Sequence, residues 1–127
     1  MKIAHVALWT QDIEAQVNFW LRYFNGVAGE TYVSKNRPGF VSRFIQLASG
    51  PTLEIMSVPS LLPGAERQER IGWAHIALSL GSEAQVDSLA KQAQLDGVLQ
   101  AAPRWTGDGF YEAIILDPDG NAIEITA

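Results

Sequence analysis

Apolar and polar positions alternate from the first residues. Ala4, Val6 and Leu8 fall on one side of an extended chain, and His5, Ala7 and Trp9 fall on the other, which predicts a strand over Ile3 to Trp9. Thr10 or Asp12 can then cap a helix. Its apolar stripe would be Ile13, Val17, Trp20, Leu21 and Phe24, spaced three and four residues apart. Asn25-Gly26 ends that helix, because both residues accept a left-handed C-terminal conformation. Val27 to Ser34 is a weaker pattern that predicts a short edge strand, and Lys35 to Gly39 is a turn by composition. Phe40 to Leu47 and Thr52 to Val58 read as two strands joined by a hairpin at Ala48-Ser49-Gly50-Pro51.

The same order then begins again. A strand over Trp73 to Leu80 leads through the capping Ser82 into a helix with the stripe Val86, Leu89, Ala90 and Ala93, closed by Asp96-Gly97. Leu99 to Trp105 is a poor strand interrupted by Pro103, so an edge is its natural place. Phe110 to Leu116 and Asn121 to Thr126 form a second hairpin around Asp117-Pro118-Asp119-Gly120. The repetition extends to identity: Ala4-His5-Val6-Ala7-Leu8 returns as Ala74-His75-Ile76-Ala77-Leu78, and Leu53-Glu54-Ile55 as Ile123-Glu124-Ile125, both at a shift of 70. Glu14-Ala15-Gln16-Val17 also returns as Glu83-Ala84-Gln85-Val86. The fold class expected is α+β, a single domain of two βαβββ modules, residues 1–58 and 73–127. The connection 59–72 carries the charged run Glu66-Arg67-Gln68-Glu69-Arg70 and room for one helical turn. Two copies at so long a period indicate a duplicated module rather than a solenoid.

Composition narrows the partners. The length, 127 residues, suits one domain, and the absence of cysteine excludes disulfides and fits a reducing, cytoplasmic setting. The net charge of −5 and the lack of a basic cluster argue against nucleic acid and anionic membrane. No apolar run is long enough to span a bilayer. Small molecules and protein surfaces remain.

The candidate chemistry lies in the repeated polar residues. His5 and His75 are the chain's two histidines, and Glu54 and Glu124 each stand between branched aliphatics. If the aliphatics face a core, the carboxylates face the other side of the sheet. One such histidine is more often a hydrogen-bonded structural residue, and one such glutamate the wet face of an edge strand. Four residues kept in register across a duplication point instead to a shared task. Two imidazoles and two carboxylates converging by approximate two-fold symmetry would suit one divalent ion of intermediate softness: nickel, cobalt, zinc, manganese or iron. The ion would also offset the cost of enclosing two carboxylates.

The strand-opening histidines, Glu54 and above all Asp117-Pro118-Asp119-Gly120-Asn121-Ala122-Ile123-Glu124 resemble the vicinal oxygen chelate superfamily of glyoxalases, bleomycin resistance proteins and dioxygenases. The resemblance covers the whole chain. It implies a half-open barrel built from the two modules, a metal inside it, a small-molecule substrate and a homodimer. The order His, Glu, His, Glu is similar to glyoxalase I, which implies His5, Glu54, His75 and Glu124 as metal ligands. It also implies a lyase or isomerase reaction on a small carbonyl compound through a metal-stabilised enediolate, with Glu124 as base and Glu54 as its partner. Short bacterial glyoxalase I enzymes hold glutathione with an arginine and an asparagine where this chain has Trp9 and Val58. The resemblance therefore reaches the metal ligands and stops short of glutathione. Trp9, Phe44, Met56, Trp105 and Tyr111 are the expected substrate walls, each equally suited to an ordinary core. Arg37, Arg43, Arg104 and Lys35 are the cations that could meet an anionic substrate. The same superfamily offers two competing expectations, an extradiol-type dioxygenase and a non-catalytic drug-binding protein. The first needs a position that Glu54 would fill, and the second lacks metal ligands.

Overall fold

A computed structural model describes residues 1–64, 69 and 71–127 of the chain. Of the connection 59–72, where one helical turn is expected, residues 65–68 and 70 lie outside the described residues. The chain divides into two compact units, Met1–Gly64 and Ala65–Ala127.

The first unit runs β1 (His5–Trp9), α1 (Ile13–Phe24), β2 (Val27–Ala28), β3 (Tyr32–Val33), β4 (Val41–Gln46) and β5 (Thr52–Ser57). Its open sheet has the order β1-β5-β4-β2, with β3 also pairing β4. The expected edge strand over residues 27–34 is thus two short pieces, which pair with opposite ends of β4. Thr10 and Asp12 share the helix start: the Thr10 hydroxyl accepts from the Asp12 amide at 3.0 Å, and the Asp12 carboxylate accepts from the Ala15 amide at 2.9 Å. Asn25 ends the helix in the left-handed region at φ 50°. A Cβ on the following Gly26 would lie 2.6 Å from Ile45 Cγ2, so only glycine lets the helix end press this closely on β4.

Alternation sorts the sheet. Leu53, Ile55 and Ile45 are buried on the side of α1, together with Val17 and Trp20. The helix stripe is rotated slightly from the expected one, since Phe19 and Tyr23 are buried while Leu21 is exposed. Trp20 is fully buried, and its indole N–H donates to the side-chain Oε1 of the buried Gln16 one turn earlier at 3.1 Å. The pairing satisfies two polar groups that would otherwise weaken the core.

The second unit repeats the plan with β6 (Ile76–Ser79), α2 (Glu83–Leu95), β7 (Leu99–Trp105), β8 (Tyr111–Leu116) and β9 (Ala122–Thr126), in the sheet order β6-β9-β8-β7. Ser82 caps α2 by accepting from the Gln85 amide at 3.3 Å. Its core is made of smaller pieces: Val86, Ala90 and Ala93 from the helix against Ala113, Ile115, Ile123 and Ile125 from the sheet. β7 takes the edge, as Pro103 requires, and slips register twice against β8. Both units are α+β, and both open sheets have the first strand parallel to the last.

Candidate functional site

Parallel pairing of β1 with β5 sets His5 beside Thr52 and Ala7 beside Glu54. His5, Ala7, Trp9, Glu54 and Met56 therefore share the face turned away from α1. β4 adds Phe44, paired with Glu54, and Ser42, paired with Met56. The His5 Nε2 stands 3.7 Å from Glu54 Oε2. In the second unit β6 and β9 repeat the arrangement, with Ala77 beside Glu124 and His75 Nε2 3.5 Å from Glu124 Oε2. In each pair the imidazole is about half exposed and the carboxylate largely covered.

These separations exceed a hydrogen bond. Bonds of about 2.1 Å meeting at roughly 110–120° on one ion place their donor atoms about 3.4–3.6 Å apart; the His75–Glu124 separation of 3.5 Å falls in that range and the His5–Glu54 separation of 3.7 Å just beyond it. Nitrogen and oxygen donors of this kind fit zinc, nickel, cobalt, manganese or iron. Each unit thus presents one imidazole nitrogen and one carboxylate oxygen side by side. Among the described residues no three His, Cys, Asp or Glu side chains form a metal-holding group.

The motif that ends the chain has a local physical meaning. The Asp117 carboxylate accepts from the amides of Asp119 and Asn121 at 3.0 and 2.8 Å, and its other oxygen accepts from the Asn121 side-chain amide at 2.8 Å. The tied turn fixes where β9 starts, and hence that Glu124 points away from α2.

Around the two pairs the faces differ. Beside His5 lies the Phe44 ring, edge-on at 6.0 Å between centroids. Trp9 meets Phe40 edge-on at 6.1 Å, and Tyr32 meets Phe40 at 6.4 Å. Three of the expected walls, Trp9, Phe44 and Met56, are therefore gathered on the His5–Glu54 face. Trp105 and Tyr111 are placed elsewhere. They pair across β7 and β8 with rings 5.5 Å apart, and the Tyr111 hydroxyl donates to the Asp87 carboxylate of α2 at 2.6 Å. They stand on the helix side of their sheet, opposite Glu124. The hydrogen bond to Asp87 also raises the Tyr111 pKa.

A further residue, Glu112, takes a place beside Glu124 that the sequence pattern did not single out. It shares the Glu124 face through its pairing with Thr126, is buried, and forms an ion pair with Arg104 at 3.2 Å. Burial raises its pKa, and the charge of Glu124 and a hydrogen bond to it act in the same direction. Its counterpart at the 70-residue shift is Ser42. That acidic residue for a small hydroxyl was the one available signal, visible only when the repeats are laid over each other.

Two βαβββ units, each presenting an imidazole and a carboxylate on the face opposite its helix, define a duplicated fold. The chain belongs to the Glyoxalase/Bleomycin resistance protein/Dioxygenase superfamily, whose model matches residues 2–125. An uncharacterised protein of Pseudomonas aeruginosa is 30% identical over 98% of this chain and 86% of its own length. A glyoxylase/bleomycin resistance protein/dioxygenase domain from Frankia sp. EAN1pec superposes with a TM-score of 0.84, covering 99% of this chain and 96% of that one, at 14% identity. The trypanothione-dependent glyoxalase I of Leishmania major superposes at 0.76 over 99% of this chain and 86% of that one, at 17% identity. At these identities the likeness concerns the fold. Among the described residues no helix is long and apolar enough to cross a membrane.

Proposed function

We propose that this protein is a metal-dependent lyase or isomerase of the glyoxalase I type, acting on a small carbonyl compound. The observation that carries the reading is the repeated pair: the same imidazole and carboxylate, on equivalent strands of both units, at 3.7 and 3.5 Å. His5, Glu54, His75 and Glu124 would hold one divalent ion. Each unit supplies two of the donors, so a complete set draws on two units, from one chain or from two copies in a homodimer. When bound, the ion would act as a Lewis acid on the substrate oxygens and make the adjacent C–H more acidic.

The chain's own residues do the rest. Glu124 takes the proton next to the carbonyl and returns it to the neighbouring carbon, with Glu54 as its counterpart in the first unit. Arg104 and Glu112 hold the Glu124 side of the site. His5 and His75 would supply the two ring-nitrogen donors. The substrate meets Trp9, Phe44 and Met56, a less polar surround than glutathione would need, and Trp9 and Val58 stand where a glutathione site would carry polar groups. A cytoplasmic location suits a cysteine-free chain.

The test is metal content and turnover together. Protein purified without added metal should contain close to one equivalent of a first-row divalent ion per site by elemental analysis, and Glu124→Ala should contain far less. Equal metal in both would sink the ligand set. Turnover of small 2-oxoaldehydes, with and without thiol, should depend on nickel, cobalt or zinc. Oxygen uptake with catechols under iron would instead select the dioxygenase chemistry of the superfamily.

A further inference from the structure

The first unit carries a cation that the proposed chemistry does not use. Arg37 lies in the turn between β3 and β4, and its guanidinium carbon sits 5.5 Å from the centroids of both Trp9 and Phe40. Two aromatic faces at that range hold a guanidinium in one place while leaving its N–H edge free. The turn beneath it is tied. Ser34 Oγ accepts from the Asn36 and Arg37 amides at 3.2 and 3.0 Å, the Arg37 carbonyl accepts from the Phe40 amide at 3.1 Å, and the Ser34 amide donates to the Phe40 carbonyl at 3.0 Å. Gly39, at φ 79°, closes the turn where a Cβ would lie 2.7 Å from the Pro59 ring.

The other arginines considered as anion partners are already engaged. Arg43 bonds Glu14 at 2.9 Å, and Arg104 pairs with Glu112. Among the described residues no carboxylate pairs with Arg37. A guanidinium preorganised on rings, unneutralised in a chain of net charge −5, is a local exception to the field around it.

Its position relates it to the donor pair. Trp9 is opposite Met56 across β1 and β5, and Met56 is two residues beyond Glu54, about 7 Å along the strand on the same face. Phe40, Phe44 and Met56 floor the space between. The Glu54 carboxylate would repel an anion placed beside it, so an anionic group is favoured at the Arg37 end.

We propose that Arg37 is an anion-recognition residue. It would select ligands with a carboxylate or phosphate at one end and an apolar, flat midsection that lies over Phe44, Met56 and Trp9. This rests on reading the His5–Glu54 face as the substrate face, and it deepens that reading by naming a substrate class: anionic carbonyl compounds with a hydrophobic body.

The test is run on the full chain with metal removed by a chelator, so it does not depend on the metal chemistry. Binding of 2-naphthoate, 2-naphthyl phosphate and neutral 2-naphthamide is followed by quenching of tryptophan fluorescence. Wild type should bind at least one of the two anions about tenfold more tightly than the amide, and the better anion tells carboxylate from phosphate. Arg37→Met should bring that anion down to the level of the amide and leave amide binding unchanged. Arg37→Lys, which keeps the charge without the planar fork, should fall between. Equal binding of anions and amide by wild type, or an anion preference that survives Arg37→Met with an unchanged circular dichroism spectrum, overturns the proposal. Either result leaves the metal-content measurement to judge the lyase reading separately.

Discussion

The two units share a plan, a parallel pairing and an imidazole–carboxylate pair, yet the faces around those pairs have opposite character. The His5–Glu54 face is aromatic: Trp9, Phe40 and Phe44, with Arg37 laid over two of the rings. The His75–Glu124 face is polar, with the strand-paired Glu112 and Arg104 where the first unit has Ser42 and its partner Tyr32. Duplication therefore kept the imidazole and carboxylate and let their neighbours diverge. Under the proposed function, one face would hold the substrate body and the other would govern a carboxylate. The cores diverged as well, since α1 is anchored by Trp20 and α2 by Val86, Ala90 and Ala93.

The sharpest test of that division compares Glu124→Gln with Glu54→Gln. Both should weaken metal binding, but turnover under saturating metal should fall about 10²–10⁴-fold for Glu124→Gln, the range of a lost general base, and clearly less for Glu54→Gln. Equal losses would mean that the carboxylates are interchangeable and the proposed asymmetry is wrong. Next in size is the core contrast. Trp20→Ala should cost about 3–5 kcal/mol in urea unfolding, whereas Val86→Ala should cost roughly 1–3 kcal/mol.

A smaller effect concerns pH. The folded state raises the Glu112 pKa, so its contribution to stability is full below the ordinary carboxylate range and is lost as pH rises through the raised value. In chelator-treated protein, Glu112→Gln should flatten that decline, visible as a melting temperature less dependent on pH above about pH 4. A steeper dependence in the variant would contradict the assigned cause. Smallest of all, Arg43→Met breaks an ion pair whose carboxylate is mostly exposed, and should change stability by no more than about 1 kcal/mol.

Much of this was legible in the sequence because the chain states it twice. The alternation in Ala4 to Leu8 and Leu53 to Ile55 fixed which side each His and Glu would take, and the two helix starts and ends followed from Asp12, Ser82, Asn25 and Gly97. Where the repeat is silent, the pattern decides less. The alternation around Trp105 and Tyr111 suits a site wall and an ordinary core equally, because it leaves their absolute facing open. The two register slips in β7 and the bond from Tyr111 to Asp87 are tertiary facts, and they put both rings on the helix side. The division of residues 27–34 into two pieces depends on how each end meets β4. The place of Glu112 beside Glu124 depends on its partners across β7 and β9, which no local pattern encodes.

The parallel pairing of first strand with last has a kinetic consequence. His and Glu are separated by 49 residues in each unit (54 − 5 and 124 − 75), and they meet only when the final strand docks against the opening one. Contacts that close so long a loop come late in folding, after the helix and hairpins have formed locally. Uptake of an ion by either pair would then report on completion of the unit. In a chain still emerging from the ribosome, neither imidazole would have its carboxylate beside it until the closing strand of its own unit was free to settle.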